Sequence, residues 1–202
     1  MEEGVLKQTV KDFSKTSEII QTIIIALLAF LVPTFLAKLI ALIFGANSVI
    51  TSNSQFIVGS IVNTVLVISA LNLKGWPKII AVVTMPSIST ILSGYIFPAP
   101  ASAFLAYMIP AIWIGNFTLI FSFKYFMLTK KKNYLLSSII GIVGKVAIIF
   151  GFFMILKAFN VFPEKIVGNL QKAMSWIQLV TASIGCLIAF IVYKTENKQQ
   201  VD

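Results

Sequence analysis

The sequence predicts an all-α, polytopic membrane protein: six transmembrane helices with both termini in the cytoplasm. Three observations carry this. Of the 202 residues, 58% are hydrophobic and 11% charged, where a soluble domain has roughly 25% charged. Mean hydropathy is +0.94. Six apolar stretches approach the ~20 residues that a spanning helix needs. They cover 19–44, 56–73, 78–97, 104–127, 135–158 and 174–193. The chain therefore divides into a cytoplasmic N-terminal segment (1–18), a membrane domain (19–193) and a short cytoplasmic tail (194–202). No internal repeat is visible, and the lipid bilayer is the first partner.

The N-terminal segment places Leu6, Val10 and Phe13 on one helical face and Lys7, Lys11 and Lys15 on another. That pattern fits a short helix lying on the membrane surface; a frayed tail fits as well. The first span is too long for the apolar core of a signal peptide, and two acids precede its first lysine.

Orientation follows from lysine, since all 16 basic residues are Lys and Arg is absent. With the N-terminus inside, eleven lysines fall on the cytoplasmic side, against only Lys165 and Lys172 outside. Such asymmetry obeys the positive-inside rule. The outer connections are then 45–55, 98–103 and 159–173, and the first two carry no charge. The net charge of +9 speaks to orientation rather than to nucleic acid, for which nothing in the chain argues.

Several chemistries are excluded. The chain has no His and a single Cys, Cys186, so zinc and iron–sulfur ligand sets are missing. A rhomboid-type serine protease lacks its base, and an intramembrane metalloprotease lacks its ligands. The seven acids all lie outside the spans, which removes carboxylate metal sites and most proton relays. The run Gly141-Ile-Val-Gly144-Lys145-Val146 is too short for a phosphate-binding loop and lacks the Ser/Thr after its Lys. No catalytic residue, metal or cofactor is assigned, and the chain is not read as an enzyme.

The polar residues inside the spans are the candidate site. Lys145 lies mid-span, where a charge costs at least ~2.5–3.5 kcal/mol unless it faces a cavity or a partner. Recognition of an anionic group is its functional reading. Lys38 and Lys157 lie nearer span ends and can snorkel to the headgroups. In the fourth span, Trp113 and Asn116 are three residues apart, near Pro110 and Tyr107. An aromatic ring beside an amide could orient a ring-shaped ligand; equally, Asn116 could bond across helices. Asn63 and Thr64, with Thr84, Pro86, Ser87, Ser89 and Thr90, could line the same cavity. Ala26, Ala29, Pro33, Ala37 and Ala41 form one stripe along the first span. Small residues let another helix approach closely, so the stripe is either an internal seam or a dock for another subunit.

Over nearly its whole length the chain resembles the S component, the substrate-binding subunit, of energy-coupling-factor (ECF) transporters. The resemblance rests on Ala37-Lys-Leu-Ile-Ala41, similar to the family's docking motif, and on Ile109-Pro110-Ala111-Ile112-Trp113-Ile114-Gly115-Asn116, similar to its proline-to-Gly-Asn pattern. Ala37 and Ala41 lie toward the outer end, so Ala26 and Ala29 are the alternative docking pair. The resemblance implies a prokaryotic cell-membrane subunit that captures a vitamin-like molecule from outside. It implies a transmembrane coupling subunit and two cytoplasmic ATPases as partners. It also implies substrate contacts in spans 4–6 and the outer loops, with 45–55 as a lid. Two other readings stay open: an assembly subunit of a larger membrane complex, and a self-contained channel or facilitator.

The topology is directly testable. Cysteines introduced at Ser52 and Ser102 should be labelled in intact cells by an impermeant reagent, and one at Lys131 only after permeabilisation. Labelling of position 131 in intact cells would invert the orientation.

Overall fold

The computed structural model describes residues 15–45, 48–93 and 104–198. The N-terminal segment 1–14, the connection 98–103 and the last residues of the tail lie outside them. Among the described residues the chain forms helices joined by turns, with no strand. It is an all-α membrane protein: the runs Ile19–Phe44, Ser54–Asn72, Ala106–Thr129, Tyr134–Ala158 and Glu164–Thr195 are long and apolar enough to cross a bilayer. The third expected span is described only as far as Ser93. Over the described residues its apolar helix, Trp76–Leu92, has 17 residues, about 26 Å at ~1.5 Å each. Residues 94–97 of that expected span lie outside the described residues.

The first span is two α-helices, α1 (Lys15–Leu31) and α2 (Ala37–Phe44), joined by a π turn at Val32–Leu36. Pro33 explains the break, because it brings no N–H to the helical ladder. The Ala37 N–H is shared between the Pro33 and Thr34 carbonyls. Helices α4 (Ser54–Asn72) and α5 (Trp76–Ser93) follow the short α3 (Val49–Ser52). The fourth span is α6 (Ile109–Ser122) continued by a π turn, Phe123–Thr129. The last three helices are α7 (Tyr134–Ala158), α8 (Glu164–Met174) and α9 (Trp176–Lys198).

Two of the expected outer loops contain helices. In 45–55, Ser48 caps α3 by accepting from the Thr51 N–H, and the Thr51 hydroxyl donates to the Gly45 carbonyl at 2.8 Å. Gly45 turns the chain with φ of +85°, a conformation that favours glycine. In 159–173, Ile166, Val167, Leu170, Ala173 and Met174 recur at helical spacing. They form α8, with Leu170, Ala173 and Met174 buried. Glu164 in its first turn and Lys172 in its last suit the helix dipole.

Two helix pairs dominate the packing: α4 against α9 and α6 against α7. Both approach closely through glycine. A Cβ at Gly185 on α9 would stand 2.5 Å from Asn63 Cβ and 2.8 Å from the Ser60 carbonyl. One at Gly115 on α6 would meet Ile149 Cγ1 of α7 at 2.8 Å. The Thr64 hydroxyl reaches the Gly185 carbonyl at 3.3 Å across the first seam. Across the second, the Ser122 hydroxyl donates to the Ser137 carbonyl at 2.9 Å. Helix α1 lies along α5, where Thr34 and Ser89 hydrogen-bond through their hydroxyls.

The alanine stripe faces inward. Ala29 and Ala37 are 1% and 2% exposed, and Pro33 between them is buried. Ala26 and Ala41 are half-buried, and Ala26 packs on the main core cluster. Ala29 and Ala37 are thus covered by the chain's own helices, whereas Ala26 and Ala41, one from each expected docking pair, keep part of their surface open. The outward side of α1 carries Ile20, Ile24, Leu27 and Leu31, which is what a lipid-facing side requires.

The glycine seams make a paired prediction. Gly185→Ala should lower stability by about 1–3 kcal/mol through overpacking. Gly151, where a Cβ would meet nothing within 4 Å, should accept alanine neutrally or with a gain of up to about 1 kcal/mol. Thermal unfolding of both variants in detergent checks the contrast.

Candidate functional site

A cavity of about 100 Å³ lies inside the bundle, between its middle and the end where α3 and α8 sit. Its walls are apolar: Val58 and Val62 from α4, Leu105, Ile112 from α6 and Met174 from α8. Pro33 and Pro86 add the two helix interruptions of α1 and α5.

Its floor is polar. Lys145, near the middle of α7, is 2% exposed. Its ammonium donates to Asn63 Oδ1 at 2.5 Å. The Asn63 amide nitrogen in turn donates to the Gly59 carbonyl at 2.8 Å and reaches Thr181 Oγ1 at 3.4 Å. This chain fixes the Asn63 amide, oxygen toward the ammonium, and explains why Asn63 sits opposite Gly185: only a closely packed α4–α9 seam brings Thr181 within reach. Asn116, from α6, lines the same cavity and is 3% exposed. Its amide has no hydrogen-bond partner among the described residues. The hydroxyl of Ser87 is also buried and unpartnered, and Ser87 lines the cavity too. Lys145 has no ion pair among the described residues.

At the opposite end stands α8, which contributes Met174 to the lining. The last carbonyls of a helix lack intrahelical partners. That of Ala173 accepts from the side-chain amides of Gln55 at 3.5 Å and Gln178 at 3.3 Å. Both glutamines line the cavity. Lys157 donates to Gln171 Oε1 at 3.0 Å and ties α7 to α8. Lys157 is therefore bound within the protein, whereas Lys38 stands exposed on α2.

Of the residues expected at the site, Asn63, Asn116 and Lys145 come together. Pro86, Ser87 and Thr90 join them. Trp113 and Tyr107 do not line the cavity. Trp113 packs on the main core cluster, its indole N–H buried and without a partner. Tyr107 is 56% exposed beside Phe104. The ring-beside-amide platform expected from Trp113 and Asn116 is not formed, because three residues along a helix turn the two side chains to different neighbours. Thr64 bonds back to the Ser60 carbonyl and Thr84 to that of Ala81, as hydroxyls in helices commonly do. Gln55, Gln178 and Thr181 are the polar lining residues that the sequence pattern did not single out. Gln178 and Thr181, one turn apart in an otherwise apolar span, were the available signal.

Among the described residues, no three His, Cys, Asp or Glu side chains gather as a metal site. What the arrangement offers is hydrogen-bond donors in a small, mostly apolar chamber. Compared with protein-family models, curated proteins and solved structures, the chain matches none.

The Lys145–Asn63 pair can be tested by stability. Asn63→Leu leaves a buried ammonium without its partner and should cost about 3–5 kcal/mol, as for other broken buried pairs. Adding Lys145→Met to that variant should recover most of the loss, because an apolar pair replaces a polar one. Thermal unfolding of the two variants beside wild type decides it; equal instability of both would show that the pair contributes nothing specific.

Proposed function

We propose that this chain is the membrane-embedded capture subunit of an ECF-type importer in a prokaryotic cell membrane. It binds a vitamin-like small molecule from the outer face, and partner subunits drive release inside. The observation that carries the reading is the cavity with Asn63, Asn116 and Lys145 on its floor, set in an otherwise apolar bundle. Polar groups at that depth are costly and mark ligand or ion pathways more often than packing. The placement of the cavity adds support. It lies away from the end that holds Lys74, Lys78, Lys130, Lys131 and Lys132, the cytoplasmic end by the positive-inside rule.

A coupling subunit and two ATPases are the partners this reading requires. Ala29 and Ala37 are taken up by internal packing, so a coupling subunit would meet the stripe only at the half-buried Ala26 and Ala41. An assembly subunit is the competing reading, with the Lys145–Asn63 bond as a structural tie.

Reconstitution separates the two. The purified chain in liposomes should bind a small molecule without accumulating it. Uptake should appear only when a coupling subunit and ATPases, co-purified under native conditions, are added with ATP. Accumulation by the chain alone would make it a facilitator, and a chain that carries no small molecule in native mass spectrometry would leave the assembly reading.

A further inference from the structure

We propose that the cavity takes a small monocarboxylate, with the carboxylate on Lys145 and a short apolar body toward α8. The proposal rests on the capture reading above and names its ligand class. Donors outnumber acceptors at the cavity floor. The Lys145 ammonium carries three N–H groups, and one is used, on Asn63. The Ser87 hydroxyl, 5% exposed, has no partner. The Asn116 amide, 3% exposed, has none either. Unpartnered polar groups this deeply buried are rare in folded proteins, and two of them, on Ser87 and Asn116, line one chamber beside the Lys145 ammonium. A carboxylate satisfies them together: two oxygens with about four lone-pair sites can accept from Lys145, Ser87 and Asn116.

Charge and size narrow the class. One buried cation, with no ion pair among the described residues, balances one negative charge. A phosphate monoester carries up to two near neutral pH, and the second would stay unbalanced in this apolar setting. Arg is absent from the whole chain, so no guanidinium fork supplies the difference. The rest of the wall, Val58, Val62, Leu105, Ile112 and Met174, is apolar. That wall suits a hydrocarbon body and distinguishes an organic acid from a bare halide. At about 100 Å³ the chamber suits a short body better than a long acyl chain.

The experiment uses the full-length protein in detergent at neutral pH. Straight-chain carboxylates from acetate to octanoate, and benzoate, are titrated beside their matched carboxamides and beside sodium chloride. Binding is read by calorimetry and thermal shift. At least one carboxylate should bind ten times more tightly, or better, than its carboxamide, with an optimum in chain length. Lys145→Met and Asn116→Asp, the second placing a fixed carboxylate in the chamber, should each lose that binding tenfold or more. Both variants must keep a cooperative thermal transition, and Ser87→Ala supplies a milder third, with a loss of a few-fold.

Three results overturn the proposal: no carboxylate in the series binding better than its carboxamide, chloride alone competing at equal strength, or unchanged carboxylate binding in folded Lys145→Met. The importer reading fails separately. A carboxylate bound as expected by a chain that recruits no ATPases would keep the ligand class and remove the transporter. An uncharged molecule carried in native mass spectrometry, with ATPases present, would do the reverse.

Discussion

Close approach of helices is the constraint on which the rest of this structure depends. In a bilayer, leaving lipid for protein yields no hydrophobic gain, so association relies on packing and on bonds between helices. The α4–α9 and α6–α7 seams meet both needs. Gly185 and Gly115 remove the side chains that would hold the backbones apart. Hydroxyls of Thr64 and Ser122 then bond to carbonyls on the facing helix. The polar floor follows from the same seams: Asn63 and Thr181 meet because α4 and α9 are near, and Lys145 reaches Asn63 because α7 is held against α6.

Burial of Lys145 is tolerable for the same reason. An ammonium in hydrocarbon would be expelled or neutralised. Here its charge meets a fixed amide dipole whose far side is itself held, by the Gly59 carbonyl and the Thr181 hydroxyl. Neither Asn63 nor Thr181 is charged, so the network orients the ammonium without cancelling its field. That field stays uncancelled because no Asp or Glu lines the chamber.

What was legible in the sequence divides along physical lines. The helices that cross the membrane were readable because lipid imposes length and apolarity directly on the chain. The inward direction of Asn63, Asn116 and Lys145 was readable because polar side chains at depth have few other places to go. The alanine stripe was ambiguous: small residues permit close approach without saying whose helix approaches, and here α5 lies along α1 while α4 packs on Ala37. Trp113 misled because helical spacing gives the angle between two side chains but not the neighbour each meets. Helix α8 was hidden by its modest apolarity; its pattern is amphipathic, and a search for spans reads such a stretch as a loop.

Helix α8 also has a mechanical consequence. It is tied to three spanning elements: to α4 by Gln55, to α7 by Lys157, and to α9 by Gln178 and the chain itself. Two of these ties end on one carbonyl, at 3.5 and 3.3 Å, near the limit at which a hydrogen bond retains its strength. They act as short tethers under little slack. Of the two, only the Gln55 tie crosses from α4, the helix that also carries Asn63; the Gln178 tie joins α8 to α9, the next helix in the chain. The position of α8 and the position of the polar floor are therefore coupled through one helix, α4, which holds Gln55 at one level and Asn63 about two turns further in.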